Sequence, residues 1–168
     1  MKKVILIFVT IVLSGLLYAK DNKSTDALLR EIDGIIKNRQ TYGAEKEARI
    51  ADLKKLLAEA TSDEQRYGFC GRLFDEYRAY NLDSSFVYAQ RKEELAHRMD
   101  KLDYLDDAAM NMAEVMGTTG MYKEALELLG QIDKKTLPDY LYGYYYHLYR
   151  TIYGLLSLIH ISEPTRPY

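Results

Sequence analysis

The chain has 168 residues, with 23 Lys and Arg against 25 Asp and Glu, a formal net charge of −2, one Cys and no Trp. A lone Cys excludes a disulfide scaffold, ten Gly exclude a collagen-like repeat, and the charge balance excludes a nucleic-acid binder that works through overall positive charge. With 48% apolar residues, the chain has the material for one ordinary domain or part of a larger one.

Residues 1–19 are expected to stand outside that domain. Lys2 and Lys3 precede an uncharged run from Val4 to Leu17, and Tyr18-Ala19-Lys20-Asp21 follows. Fourteen helical residues span roughly 21 Å, short of the roughly 30 Å hydrocarbon core of a bilayer. The pattern is that of a secretory signal peptide cut after Ala19, with Leu17 departing from the small residue preferred near the cut. An uncleaved membrane anchor is the rival reading. The expected location is therefore outside the cytosol, in the periplasm or cell envelope. No Cys directly follows the apolar run, which argues against lipidation.

Between the ends the apolar period stays near 3.6 and no stretch alternates long enough for a strand, so the expected class is all-α. Residues 20–61 read as an N-terminal helical segment. Its first helix, Thr25 to Lys37, places Leu28, Ile32 and Ile35 on one face, with Gly34 in its interior. A second, Ala44 to Ala60, carries Ile50, Leu53 and Leu57, and the two can fuse through Asn38 to Gly43. The charged residues from Glu45 to Lys55 are most simply a solvated face. Residues 62–155 read as helical hairpins. Ser62-Asp63-Glu64-Gln65 is a capping box that opens a third helix to about Ala79, burying Phe69, Cys70, Leu73, Phe74 and Tyr77. Asp83 is the expected N-cap of a fourth, Ser84 to Lys101, showing Tyr88, Leu95 and Met99. The fifth, Tyr104 to Gly117, has Leu105, Ala108, Ala109, Met112, Ala113 and Met116 at helical spacing. Thr118-Thr119-Gly120 ends it, and the sixth runs from Met121 to Ile132. Pro138 suits the first position of a seventh, where its missing N–H has no partner to lose. Short loops make neighbouring helices antiparallel, so the chain reads as stacked helical hairpins.

At the C-terminus, Leu156 to Arg166 breaks the helical pattern and resembles the in-frame translation of a transposase-type sequencing adapter. On that reading residues 156–168 are artefactual, the hairpin array is truncated, and His160 and Ser162 carry no chemistry. A genuine tail is the alternative.

Gly120-Met121-Tyr122-Lys123-Glu124-Ala125, followed by Leu129 and Ile132, resembles the second-helix signature of a tetratricopeptide repeat. Ala113 stands where the repeat has a small residue in its first helix, with Met112 beside it, while Ala109 and Met116 replace the usual Trp and Tyr. The resemblance implies a tetratricopeptide-like α-solenoid in which Ala109, Met112, Ala113, Gly120, Tyr122, Ala125, Leu129 and Ile132 pack the repeat. Ser84 and Ser85 with Tyr88 and Ala89 resemble a degenerate second copy, spaced more widely than the roughly 34 residues of the family. Tyr42…Lys46-Glu47-x-Arg49-Ile50-x-x-Leu53-Lys54, then Leu73-Phe74-x-Glu76-Tyr77 and Asp83-Ser84, resembles the front of a family of exported regulators of Bacteroides-type bacteria. That kinship implies membrane anchoring and a DNA-binding or signalling output through downstream segments, and no direct nucleic-acid binding by this portion.

No catalytic constellation is present in the sequence. His97 and His147 lie far apart, no HExxH or CxxC spacing occurs, and there is no glycine-rich phosphate loop. Adjacent carboxylates such as Asp106-Asp107 diverge by about 100° on a helix and do not converge on one atom. His97 reads as a solvated helix-face residue and Cys70 as a buried small hydrophobe. The chain is therefore not expected to be an enzyme, nor to need a cofactor or metal. Seven of the sixteen Tyr lie at 140–153, more than one helical face can bury. Tyr142, Tyr145, Tyr149 and Tyr153 fall at packing spacing. The remaining rings either contact a peptide or another subunit or pack on further helices. The expected function is protein or peptide recognition on a concave surface bearing Tyr77, Asn111, Glu114 and Tyr144, as the input portion of a regulator. An envelope scaffold without signalling output is the alternative.

Overall fold

The structure, a computed structural model, describes residues 25–162, with side chains through Leu158. The leader read at residues 1–19 lies outside the described residues, as do residues 163–168. The described residues form helices and no strand, in agreement with the expected class. The chain divides into two compact units, Met1–Ala48 and Arg49–Tyr168, and the boundary falls within a helix.

α1 covers residues 25–37, and α2, Arg39–Glu59, starts in the first unit after a single turn residue, Asn38. The Asn38 amide donates to the Gly34 and Ile35 carbonyls, and the Asn38 carbonyl accepts from Tyr42, which carries helical bonding across the junction. The expected apolar stripe of Leu28, Ile32 and Ile35 is exposed.

The second unit holds the rest. Helix α3, Asp63–Tyr77, starts at Ser62, whose hydroxyl accepts from the Gln65 amide at 3.2 Å. The return arm of the expected capping box lands one residue early: Gln65 Oε1 accepts from the Thr61 amide at 3.0 Å. Helix α4, Leu82–Met99, corrects the expected cap. Asn81 Oδ1 accepts from the Ser84 amide at 2.9 Å, so Asp83 sits in the first turn, where its charge still favours the helix dipole. Asp100, at φ 50°, closes this helix in the left-handed region. Helix α5 is Leu102–Thr118 and α6 is Tyr122–Gly130, separated by Gly120 at φ 89°, a conformation that glycine adopts without strain. Helix α7 is Asp139–Ser162. The Pro138 carbonyl accepts from Leu141 at 2.9 Å, so Pro138 precedes the first helical residue instead of occupying it. The helix continues past Leu155, beyond the expected break in the pattern at Leu156, and Leu156 packs partly against the interior.

Cross-helix contacts fix the layering. Tyr77 stacks on Tyr88 and Asp63 pairs with Arg98, so α3 and α4 run antiparallel. Tyr67 meets Asp107 and Arg78 meets Glu114, which makes α3 and α5 parallel; Asp103 meets Tyr140 and Gly117 meets Ile152, which makes α5 and α7 parallel. Helices α3, α5 and α7 are thus the first helices of successive hairpins. They begin at Asp63, Leu102 and Asp139, a wider step than the roughly 34 residues of a strict tetratricopeptide array.

Two hydrophobic cores share α5. The first gathers Ile50, Cys70, Leu73, Phe74, Tyr77, Tyr88 and Leu95, with Met112 from α5. Tyr67 belongs to it as well, while Phe69 is only half-buried. The second gathers Met110, Ala113, Ala125, Leu129 and Ile132 with Leu141, Tyr145, Leu148 and Ile152 of α7, and Ala109 and Tyr122 pack partly against it. Ala113 and Ala125 have no exposed surface, so the small side chains stand where α5, α6 and α7 come together. The tyrosine run divides by face. Tyr145 is buried, Tyr142 and Tyr149 are half-buried, and Tyr140, Tyr146 and Tyr153 are exposed. The exposure of Tyr153 departs from its expected packing, although its ring stacks on Tyr149 at 6.0 Å.

Candidate functional site

A groove opens on the layer of first helices. One cavity in it, about 320 Å³, is lined by Gly71, Phe74, Asp75 and Arg78 from α3 and its C-cap, Lys92 from α4, Asp107 and Asn111 from α5, and Tyr144 from α7. A second cavity of about 420 Å³ lies alongside and shares Asp75, with Arg49, Asp52, Leu53, Arg72 and Glu76 as its other walls.

The floor is a chain of polar contacts across four helices. Lys92 is only 4% exposed. Its ammonium donates to Asp107 Oδ2 at 2.7 Å and to Asn111 Oδ1, and it lies 4.7 Å from the centre of the Tyr67 ring. The Tyr67 hydroxyl is within reach of both the Tyr104 carbonyl, at 2.8 Å, and Asp107 Oδ2, at 2.7 Å. On the other side, Asn111 Nδ2 donates to the Tyr144 hydroxyl at 3.1 Å, and that hydroxyl donates to Glu114. Glu114 accepts from Arg78 Nη1 at 3.1 Å, and Arg78 Nε lies 3.7 Å from Asp75. The links that involve Lys92, Asp107, Glu114 and Arg78 are charge-assisted, the kind that most strongly fixes side-chain position.

Electrostatics follow from this arrangement. Burial pushes the Tyr144 hydroxyl well above the ordinary phenol range, and the Glu114 carboxylate adds to the shift. Burial and the Asp107 carboxylate do the same for Tyr67. Both therefore serve as neutral hydroxyl donors. Burial works against the Arg78 charge, but Glu114 and Asp75 outweigh it and hold the guanidinium above its usual value.

Three of the four residues expected on a binding surface meet here: Asn111, Glu114 and Tyr144. Asn111 is 5% exposed and uses both ends of its amide within the protein, so it positions Lys92 and Tyr144. Tyr77 lies elsewhere. It is buried in the first core, stacked on Tyr88, with the Lys54 ammonium 5.7 Å from its ring. Lys92 and Arg78 carry no expectation from the sequence, and Asp107 enters there only as the neighbour of Asp106 in a pair that does not converge. The signal for Lys92 was available: it falls at helical spacing between the buried pairs Tyr88-Ala89 and Leu95-Ala96. Among the described residues, no group of three or more His, Cys, Asp or Glu could hold a metal ion, and no helix is long and apolar enough to cross a membrane. Cys70 is buried and its thiol is pushed upward by that burial, while His97 lies on an exposed face in the last turn of α4.

Parallel first helices backed by antiparallel second helices, with small residues at the crossings and a groove along the first-helix layer, define a helical-repeat domain of the tetratricopeptide type. The family described as the SusR N-terminal TPR domain matches residues 36–168. The chain belongs to that family and is a helical-repeat module of a SusR-type regulator. No curated protein and no solved structure gives a significant match.

Proposed function

We propose that this module is non-catalytic and recognises a protein or peptide in the groove along α3, α5 and α7, as the input portion of an exported, membrane-anchored regulator. The observation that carries the reading is the floor itself. Arg78, Glu114, Tyr144, Asn111, Lys92 and Asp107 are held by one another before any ligand arrives, which lowers the ordering cost of binding. The domain type supports the reading as well, since repeats of this kind generally mediate protein interactions. Signalling would follow from altered stacking between hairpins as the network accommodates its ligand.

Calorimetric titration of the purified chain with peptides derived from envelope proteins tests the binding claim. Glu114→Gln and Tyr144→Phe variants that stay folded should lose affinity, while Tyr153→Phe, on the exposed face of α7, should keep it. Equal affinity in all three would remove the groove from the function. Export is tested separately by the mass of the protein recovered outside the cytosol, expected to begin at Lys20.

A further inference from the structure

We propose that a further cavity, where α2, α3 and α4 meet, binds a small monocarboxylate on Arg91 and takes its apolar chain onto Leu57, Cys70 and Leu95. The cavity holds about 280 Å³ and shares no lining residue with the two cavities of the groove. Its floor is apolar: Cys70 and Leu95 are buried and Leu57 is half-buried. Its wall carries Arg66, Arg91 and Arg98 against one carboxylate, Glu94. Arg91, Glu94, Leu95 and Arg98 recur at i, i+3, i+4 and i+7, so α4 presents them on one face.

The three guanidinium groups are not equivalent. Arg98 Nε donates to Asp63 Oδ2 at 3.0 Å, Arg66 Nη1 donates to Asp63 Oδ1 at 2.9 Å, and Arg66 Nη2 donates to the Ala60 carbonyl at 3.0 Å. Asp63 thus serves two cations, and Arg98, followed by Arg66, holds its carboxyl below the usual carboxylate range. Arg91 has no ion pair among the described residues; its guanidinium carbon lies 5.3 Å from the centre of the Tyr88 ring. Burial pushes the Cys70 thiol upward and the Arg91 charge opposes that push, which sets the guanidinium near the apolar floor. With Asp63 included, three guanidinium groups face two carboxylates, a surplus of one positive charge.

A ligand with one negative charge balances that surplus, and a planar carboxylate matches the paired N–H groups of a guanidinium. An apolar chain on the same ligand gains by covering the floor. A second negative charge on the ligand would lose hydration without a partner.

The test titrates hexanoate, acetate, hexanol and hexylamine into the isotope-labelled full chain and follows the backbone amides of Cys70, Arg91 and Leu95. Hexanoate should bind tightest, with acetate and hexanol each weaker by about tenfold or more and hexylamine not binding. Arg91→Gln should weaken hexanoate about tenfold. Arg91→Lys should fall between, since it keeps the charge and loses the planar fork. Arg72→Gln, which removes a cation lining the groove, should leave hexanoate binding unchanged. Arg91 is exposed, so its variants should keep their thermal midpoints within about 4 °C of the parent, which shows that they fold. Affinity for acetate or hexanol equal to that for hexanoate, unchanged hexanoate binding in Arg91→Gln, or an equal loss in Arg72→Gln overturns the proposal. So does the absence of any shift at these amides with hexanoate at about 10 mM.

Discussion

Lys92 reaches from α4 to place its ammonium 2.7 Å from the Asp107 carboxylate on α5, with the lysine side chain 5% exposed and the aspartate 25% exposed. An ion pair so placed is costly to break from one side, because the remaining charge keeps its desolvation and loses its partner. Lys92→Met should therefore lower the unfolding free energy by about 2–4 kcal/mol in urea denaturation at neutral pH. The double variant Lys92→Met/Asp107→Leu should recover part of that loss, since an apolar pair of similar shape leaves no orphaned charge. A loss below about 0.5 kcal/mol in the single variant would place the pair with ordinary solvated surface bridges.

The approach of α5 to α7 is set by a glycine. A Cβ on Gly117 would stand 3.0 Å from Ile152 Cγ1 and 3.4 Å from Cδ1, and both residues are buried. Gly117→Ala gains helix propensity but forces the two helices apart, and overpacking of this kind costs about 1–3 kcal/mol. Removing the opposing atoms by Ile152→Ala creates a cavity that the new methyl partly fills. The double variant should thus be more stable than the sum of the two single losses, with a coupling of at least about 0.5 kcal/mol. Strict additivity would mean that the helices already have room.

The hairpin order was legible in the sequence because periodicity marks each helix and small residues mark each crossing, as at Ala113 and Ala125. The site was legible only in part. Asn111 and Glu114 share a face of α5 by their i,i+3 spacing, and Tyr144 falls on the parallel helix beside them. Lys92 was hidden inside Arg91-Lys92-Glu93-Glu94, a run whose composition belongs to a solvated face. Its place in the apolar stripe of α4 distinguishes it from its neighbours. Arg78 and Glu114 lie on different hairpins, and no local pattern could have joined them.

Asp83 is the expected cap of α4, and the structure has Asn81 there instead, with its side-chain oxygen 2.9 Å from the Ser84 amide. Both Asn and Asp are good N-caps, so propensity alone could not choose. Geometry can: Asn81 has extended backbone at φ −148° and ψ 101°, while Asp83 is already helical. Asn81→Ala should cost about 1 kcal/mol, and Asp83→Ala no more than about 0.5 kcal/mol, from its favourable placement near the helix N-terminus. The reverse order in thermal or chemical melts would move the helix start to the later residue.

Asp106 stands apart from the groove although it adjoins Asp107 in sequence. It is 7% exposed, and its Oδ2 atom is buried without a hydrogen-bond partner. Burial, followed by the nearby charges of Asp103 and Asp133, raises its carboxyl above the ordinary value of 3.8. The folded state therefore holds a proton more tightly than the unfolded state. This group's contribution to stability is fully present below the unfolded value and is lost as pH rises through the raised folded value. At neutral pH the ionised carboxylate destabilises the native state, and Asp106→Leu, close in shape and without charge, should be more stable by about 1–3 kcal/mol. The advantage should shrink as the pH falls through the raised folded value, where the wild-type carboxyl takes up its proton. Thermal midpoints of the two proteins at pH 7 and pH 4 decide the matter: a constant difference would assign the gain to packing, and a loss at pH 7 would mean that the carboxylate finds a partner in solution.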